Sequence, residues 1–206
     1  MKKPLQPRSV ASTNRMLDAA EALLAEGGHD ALTVEAVIAK AGTSAGAFYA
    51  RFGDRAGMLE AMHARFLDRI HAFTEALVVE AQGRSSLAES VGVLVAGVLT
   101  VARDDRDSLV FFVVFNAFDK QLRGQGIRAK VGFARAFAAG VSRHRREIAH
   151  PNPDLAVDVA FRMLMAMFVQ QVMFAPREVT GRAISHRAMR AEIVRCLMAY
   201  LTGAGS

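Results

Sequence analysis

Cysteine, tryptophan and proline are scarce in this chain of 206 residues, which has one cysteine, no tryptophan and five prolines. The single Cys196 excludes an intramolecular disulfide and a metal site built from several cysteines. All the prolines lie outside residues 8–150. Because alanine and leucine are plentiful and strand-like alternation is rare, the sequence predicts an all-α chain of about nine helices.

Membrane, export and catalytic signatures are also missing. The longest candidate apolar run, residues 109–118, is about half the length that a membrane-spanning helix needs. The N-terminal "MKKPLQPRSV" has no apolar stretch typical of a signal peptide, so we expect a cytoplasmic protein that does not contact a membrane. The six histidines show no metal-ligand spacing, and no P-loop, GxSxG or GxGxxG pattern occurs. We therefore predict no catalytic residue, no metal and no cofactor.

The net charge of +6 permits a polyanionic partner without identifying one. Residues 1–55 hold seven Lys or Arg against six Asp or Glu, whereas residues 103–150 hold ten against five. A case for DNA binding must therefore rest on the placement of particular side chains, since total charge does not supply it.

Helix boundaries follow from capping residues, apolar spacing and breaker clusters. Thr33, Ser44 and Asp54 are placed to cap helices, and Gly42 is placed to end one. The patterns predict helices over residues 12–26, 33–41, 44–51, 54–81, 87–102, 108–122, 127–149, 154–174 and 185–201. "GGH" at residues 27–29 and "RGQG" at residues 123–126 are expected to separate helices.

The second and third predicted helices are too short to be stable alone, and a glycine turn joins them, which favours a helix-turn-helix packed on the first helix. Val37 and Phe48 would then lie inside the angle between the two, and Phe52 would also face inward. The outward face of the third helix would consist of small residues that can approach the floor of a DNA groove. These base-facing candidates are Thr43, Ala45, Gly46 and Ala47. The phosphate-contact candidates around them are Thr33, Ser44, Tyr49, Arg51 and Arg55.

The segments "NRMLDAAEALLAEGG" and "LTVEAVIAKAGTSAGAFYARFGDRAGML" resemble the DNA-binding domain of the TetR family of transcriptional regulators. The resemblance covers about residues 12–62, and the remainder is similar only in length and helical layout. It implies phosphate contacts at Thr33, Ser44, Tyr49 and Arg55. Ile38 stands where the family more often has alanine, and Thr43 replaces a usual valine. The operator sequence therefore does not follow from the resemblance.

The domain organisation expected from this resemblance is a DNA-binding domain over residues 1–55, with an N-terminal arm at 1–11, and a ligand-binding and dimerisation domain over residues 56–206. A long helix at residues 54–81 would link them. Ten methionines and thirteen phenylalanines suit an adaptable apolar cavity for a lipophilic effector. The pocket candidates are Phe112, Phe115, Asn116, Phe137, Met163, Met167 and Gln170.

The resemblance also implies that the last two helices pair with those of a second copy. The interface candidates are Leu155, Val159, Ile193, Leu197 and Tyr200. A homodimer would present two recognition helices to successive major grooves of a palindromic operator on double-stranded DNA. The expected function is thus a ligand-responsive transcriptional regulator, most simply a repressor. Two alternatives stay open: an all-helical protein- or lipid-binding module, and an enzyme with an unrecognised acid-base pair such as Asp119 with His144.

Overall fold

The computed structural model describes residues 7–114, 120–174 and 177–203. Within these residues the chain forms α-helices and one 3₁₀ helix, and no strand. The α-helices are α1 (Pro7–Ala31), α2 (Val34–Ala41), α3 (Ala45–Phe52), α4 (Arg55–Gln82), α5 (Leu87–Asp104), α6 (Arg106–Val114), α7 (Lys120–Val141), α8 (Pro153–Met173) and α9 (His186–Thr202). The 3₁₀ helix, Ser142–Glu147, follows α7 directly. The all-helical prediction is confirmed.

Two predicted boundaries in the second half of the chain are wrong. The glycines of "RGQG" were expected to end a helix, but Gly124 and Gly126 lie inside α7. Each glycine costs a helix only about 1 kcal/mol relative to alanine, so two of them do not break a long helix in the absence of proline. The helix predicted to run to residue 149 ends at Val141, where the backbone tightens into the 3₁₀ helix.

The first helix also differs from its predicted end at residue 26, because α1 continues to Ala31. Its regular geometry is interrupted at Gly28, whose φ of 65° lies in the left-handed region. Glycine adopts that conformation without the steric penalty of a Cβ. The glycine pair therefore interrupts the regular helix as predicted. The interruption lies at Gly28, two residues after the predicted helix end at residue 26.

The described chain divides into two compact units. The first contains residues 1–69 and 107–123, and the second contains residues 70–106 and 124–206. The first unit thus extends beyond the predicted boundary at residue 55 and includes α6. Met58, Met62 and Phe66 of α4 explain the extension, because all three are buried and Phe66 packs against Phe112 of α6 at 5.3 Å between ring centroids.

The second unit has its own hydrophobic core, built from α5, α7, α8 and α9 and the end of α4. Phe137 of α7 and Phe161 of α8 belong to this core, with ring centroids 5.8 Å apart. Gly97 permits close helix packing here, since a Cβ at this position would lie 2.4 Å from the Leu77 side chain. Ala149 donates a backbone hydrogen bond to the Leu201 carbonyl, which joins the segment before α8 to the end of α9.

Candidate nucleic-acid interface

The connection between α2 and α3 is a capped glycine turn. Thr33 begins α2, and its Oγ1 accepts a hydrogen bond from the Ala36 amide at 3.2 Å. Gly42 ends α2 with φ 59°, a conformation that favours glycine. Ser44 then begins α3, and its Oγ accepts from the Ala47 amide at 3.2 Å. The predicted caps at Thr33 and Ser44 are confirmed, and each hydroxyl hydrogen remains available to donate to a ligand.

One aromatic residue of α3, Phe48, packs into the core and fixes the position of this helix. Phe48 is fully buried, as is Val37 of α2. The Phe48 ring lies 5.2 Å from that of Phe52, which is half-buried and so covers the core edge. Tyr49 is 51% exposed and meets Phe48 edge-on, with ring centroids 5.5 Å apart. Burial at Phe48 thus determines which face of α3 is presented to solvent.

The outward face of α3 is thin and exposed, as the sequence predicts. Ala45, Gly46 and Ala47 are exposed, and Thr43 is half-buried in the turn before them. A Cβ built at Gly46 would meet no atom within 4 Å, and the φ of Gly46 is not positive. The fold itself therefore does not require glycine at this position.

The exposed charges beside this face are few. Lys40 forms a salt bridge with both carboxylate oxygens of Glu26, at 2.7 Å each. On the neighbouring helices Arg65 pairs with Asp18, and its Nε lies 3.5 Å from Glu21. Arg51 is exposed and has no carboxylate partner among the residues that the structure describes. Arg51 is therefore a cation of α3 that is available to a phosphate.

Arg55, by contrast, is engaged inside the protein. Its Nε donates to the Leu32 carbonyl oxygen at 3.0 Å, and its Nη2 lies 3.3 Å from His29 Nε2. Because a guanidinium has no acceptor atom, His29 Nε2 must accept this bond. The His29 ring also stacks on Phe111 of α6, with centroids 5.7 Å apart. The guanidinium of Arg55 thus joins the start of α4 to the α1–α2 turn, and the phosphate contact expected of it stays a prediction.

Gly57 is a residue that sequence reasoning missed. Asp54 caps α4 as predicted, because its Oδ1 accepts from the Gly57 amide at 2.8 Å. A Cβ at Gly57 would lie 2.0 Å from the Phe52 carbonyl oxygen. The first turn of α4 can therefore approach the end of α3 only with glycine at this position. The sequence "FGDRAG" indicates this close approach, because a second glycine in the first turn of a helix is unfavourable unless packing requires it.

The described pocket candidates belong to both units. Phe112 belongs to the first unit, where it packs on His63 at 4.8 Å and on Phe66. Phe137 is buried in the core of the second unit, and Met163 packs beside that core. Met167 is 37% exposed on α8, and Gln170 is half-buried. Phe115 and Asn116 lie outside the described residues.

The predicted interface residues divide into two groups. Leu155 is 50% exposed on α8, and Val159 and Tyr200 are half-buried, so all three present surface to a partner. Ile193 and Leu197 are only 2% and 1% exposed and belong to the core of their own chain. Their assignment to a subunit interface is corrected: the apolar face of α9 that the sequence reveals is covered by α5 and α8 of the same chain.

Comparison with known proteins agrees with this geometry. Residues 16–62 match the family model for bacterial regulatory proteins of the tetR family. No curated protein matches the sequence. Among solved structures, Salmonella enterica GusR is similar over 97% of this chain and 99% of its own, with 18% identity and a TM-score of 0.70.

Two further solved structures contain a bound ligand. FadR from Bacillus subtilis, in complex with stearoyl-CoA, is 16% identical over 94% of this chain and 100% of its own, with a TM-score of 0.64. RolR, in complex with resorcinol, is 16% identical over 96% of this chain and 91% of its own, with a TM-score of 0.57. These likenesses show the fold, and the family model covers the helix-turn-helix described above. Residues 16–62 are therefore a DNA-binding domain of the tetR family of bacterial regulatory proteins, and the chain as a whole has the fold of these solved regulators.

Proposed function

We propose that this protein is a homodimeric repressor that binds a palindromic operator through α3 and leaves it when a lipophilic small molecule binds the second unit. The observation that supports DNA binding most directly is the pairing of a thin outward face on α3 with hydrogen-bond donors around it. Ala45, Gly46 and Ala47 form that face, and we name them, with Thr43, the reading surface. Small side chains there allow close approach to the major groove.

The donors around the reading surface are placed to contact phosphates. The hydroxyls of Thr33 and Ser44 stand at the first turns of α2 and α3, where exposed backbone amides also favour an anion. Tyr49 and Arg51 are exposed at the other end of α3. We propose these four residues as the phosphate contacts, and we assign Arg55 the role of positioning α4 against the α1–α2 turn.

The test is the salt dependence of duplex binding. Replacing Tyr49 and Arg51 together with alanine should weaken operator binding and flatten the plot of log affinity against log salt by about one phosphate contact for the lost cation. The matched control is Arg146→Ala, which removes an exposed arginine in the second unit. A double variant that binds DNA with unchanged affinity and salt slope would reject the proposed contacts.

Dimerisation is supported by an unpartnered apolar stripe on α8. Leu155, Val159, Ala166 and Val169 recur at helical spacing, and each is exposed or half-buried. By length and composition α8 is also the one described helix that could span a membrane, with a mean hydropathy of 1.5 over its most apolar window. A spanning helix would place the charged side chains of Asp158 and Arg162 near or within the hydrocarbon, which is costly and favours a second copy as the cover of the stripe. We therefore propose the stripe as the centre of the subunit interface.

Analytical ultracentrifugation tests the interface. Val169→Glu should convert the protein to a monomer, because a carboxylate at a subunit interface loses its hydration without gaining a partner. Val79→Glu is the control, since Val79 is 71% exposed on α4 and outside the stripe. A Val169→Glu variant that stays dimeric would reject this interface.

A lipophilic effector is supported by the composition of the second unit. Partly buried Met163, Met165, Met189 and Met198 pack against its core, and thioether side chains adapt to ligands of different shape. The structures of FadR with stearoyl-CoA and RolR with resorcinol show the same fold with two dissimilar ligands. We propose that the effector binds among the pocket candidates of this unit and favours a dimer whose reading surfaces no longer match successive grooves.

One set of experiments tests both the effector and whether the protein represses or activates transcription. A library of apolar compounds should contain members that raise the melting temperature and release the protein from its operator. In a reporter strain, deletion of the protein should raise transcription from the operator-bearing promoter, and the same compounds should raise it in the presence of the protein. Lower transcription on deletion would show an activator, and a library without any stabilising compound would reject a lipophilic effector.

A further inference from the structure

A second ligand site is suggested by a surface groove between α7 and α8, which Ser142 and Arg145 of the 3₁₀ helix also line. Its volume is about 630 Å³, a size typical of sites for small molecules. Val131, Ala134 and Ala138 of α7 and Val157 and Phe161 of α8 form an apolar floor. None of the residues predicted for the effector pocket lines this groove, so the inference goes beyond the proposed function.

The rim of the α7–α8 groove is charged, and its charges do not cancel. Arg145 pairs with Asp154, with Nη2 2.9 Å from Oδ2, and Arg162 Nε donates to Asp158 Oδ2 at 2.8 Å. The hydrogen bond from Arg145 lowers the pKa of the Asp154 carboxyl below its ordinary value. The two carboxylates therefore neutralise two of the four cations that line the groove.

Lys130 and Arg135 are the remaining two cations. Both are exposed on α7, and neither has a carboxylate partner among the described residues. Residues 120–146 contain eight Lys or Arg and no Asp or Glu, so no acidic side chain on the same segment can compensate them. The groove thus combines an apolar floor with an unneutralised positive rim, which is the pattern that complements an anion with an apolar tail.

We propose that the α7–α8 groove binds a small anionic amphiphile, an aliphatic carboxylate, with its chain over Ala134, Ala138 and Phe161 and its carboxylate at Lys130 and Arg135. The small side chains of Ala134 and Ala138 leave the floor open. The charged end is held by hydrogen-bonded ion pairs at the surface, where such contacts contribute more to selectivity for the head group than to affinity.

Isothermal titration of the full-length protein without DNA tests the site, using decanoate as the probe. Decanoate should bind, and decanol and decyltrimethylammonium should bind at least about tenfold more weakly, a difference of about 1.4 kcal/mol. Replacing Lys130 and Arg135 with alanine should weaken decanoate binding to the level of decanol. Arg128→Ala, an exposed cation of α7 outside the groove, should leave it unchanged.

A second variant tests the floor independently of charge. Ala138 is exposed, so Ala138→Leu should fold normally, fill the groove and abolish decanoate binding, whereas Ala76→Leu on α4 should not. Equal binding of decanol and decanoate, or full binding by Ala138→Leu, would overturn the proposal. Absence of decanoate binding, combined with a changed oligomeric state in the Lys130 and Arg135 variant, would also overturn it and assign the groove to a subunit interface. Because DNA is absent, failure of operator binding would leave these results unaffected.

Discussion

Arg55 Nε donates to the Leu32 carbonyl oxygen over 3.0 Å and thereby ties the first residue of α4 to the turn that precedes α2. The bond joins residues 23 positions apart in the chain. His29 accepts from the same guanidinium and stacks on Phe111, so α6 contacts the same small cluster. Within the first unit, this one side chain therefore joins the start of α4 both to the turn before α2 and to α6.

Arg55→Lys tests this positioning role, because lysine keeps the charge but cannot reproduce the planar donor geometry. We expect the free energy of unfolding to fall by about 1.5–3 kcal/mol, the range for a hydrogen bond to a charged group. Chemical denaturation measures it. DNA affinity should fall, but the slope of log affinity against log salt concentration should not change, because the number of cations is unchanged.

The control for this substitution is Arg51→Lys. Arg51 is exposed and has no carboxylate partner among the described residues, so the change should leave stability unaltered. Equal stability of Arg55→Lys and the parent protein would contradict the positioning role.

Gly46→Ala separates the demands of the fold from those of the reading surface. A Cβ at Gly46 meets open space, so alanine should raise the free energy of unfolding by about 0.5–1 kcal/mol through its higher helix propensity. The added methyl should nevertheless lower operator affinity by about tenfold, or about 1.4 kcal/mol, by preventing close approach of α3. Thermal denaturation and an equilibrium DNA titration measure the two effects.

Gly132 of α7 provides the matched comparison, because it is exposed, helical and equally open. Gly132→Ala should give a similar gain in stability and unchanged DNA affinity. If Gly46→Ala also leaves DNA affinity unchanged, α3 does not approach a groove closely.

Ser44→Asp distinguishes capping from phosphate contact at the start of α3. Aspartate caps helices about as well as serine, so stability should change by less than about 0.5 kcal/mol. The added negative charge should repel a phosphate and weaken operator binding by at least about tenfold, or about 1.4 kcal/mol. Ser185→Asp applies the same change to the N-cap of α9 and should leave DNA binding intact. Equal DNA affinities for the two variants would place Ser44 away from phosphate.

Gly57→Ala tests the close approach of α4 to the end of α3. The new Cβ would lie 2.0 Å from the Phe52 carbonyl oxygen, so the backbone must shift. We expect a loss of about 1–3 kcal/mol in the free energy of unfolding, as for overpacked sites, and a loss of DNA binding as α3 is displaced. Urea denaturation checks the stability. A variant as stable as the parent would show that the contact relaxes without cost.

Local signals predicted the helix-turn-helix well because each boundary depends on nearby residues. Thr33, Ser44 and Asp54 are hydrogen-bonding caps, and Gly42 has the left-handed conformation that ends a helix. Phe48 was identified as inward-facing because helical spacing places it opposite the small residues. These features require no knowledge of distant parts of the chain.

The sequence did not reveal contacts that tertiary packing decides. Arg55 faces the Leu32 carbonyl, and helical spacing could not reveal a partner in another loop. Ile193 and Leu197 form an apolar face that suits either a second copy or the chain's own core, and the sequence does not distinguish the two. The α7–α8 groove depends on which faces of two helices meet the 3₁₀ helix, which spacing along one helix does not specify.

The central claim, that the reading surface binds a palindromic duplex, is tested most directly by selection from a random library of double-stranded DNA. The protein should enrich two inverted half-sites whose centres lie about one helical turn, 34–36 Å, or a multiple of it apart. The Ser44→Asp variant should enrich these sites much more weakly than the parent protein, whereas Ser185→Asp should enrich them equally. Recovery of no half-sites by the parent protein, or equal enrichment by Ser44→Asp, would contradict the account.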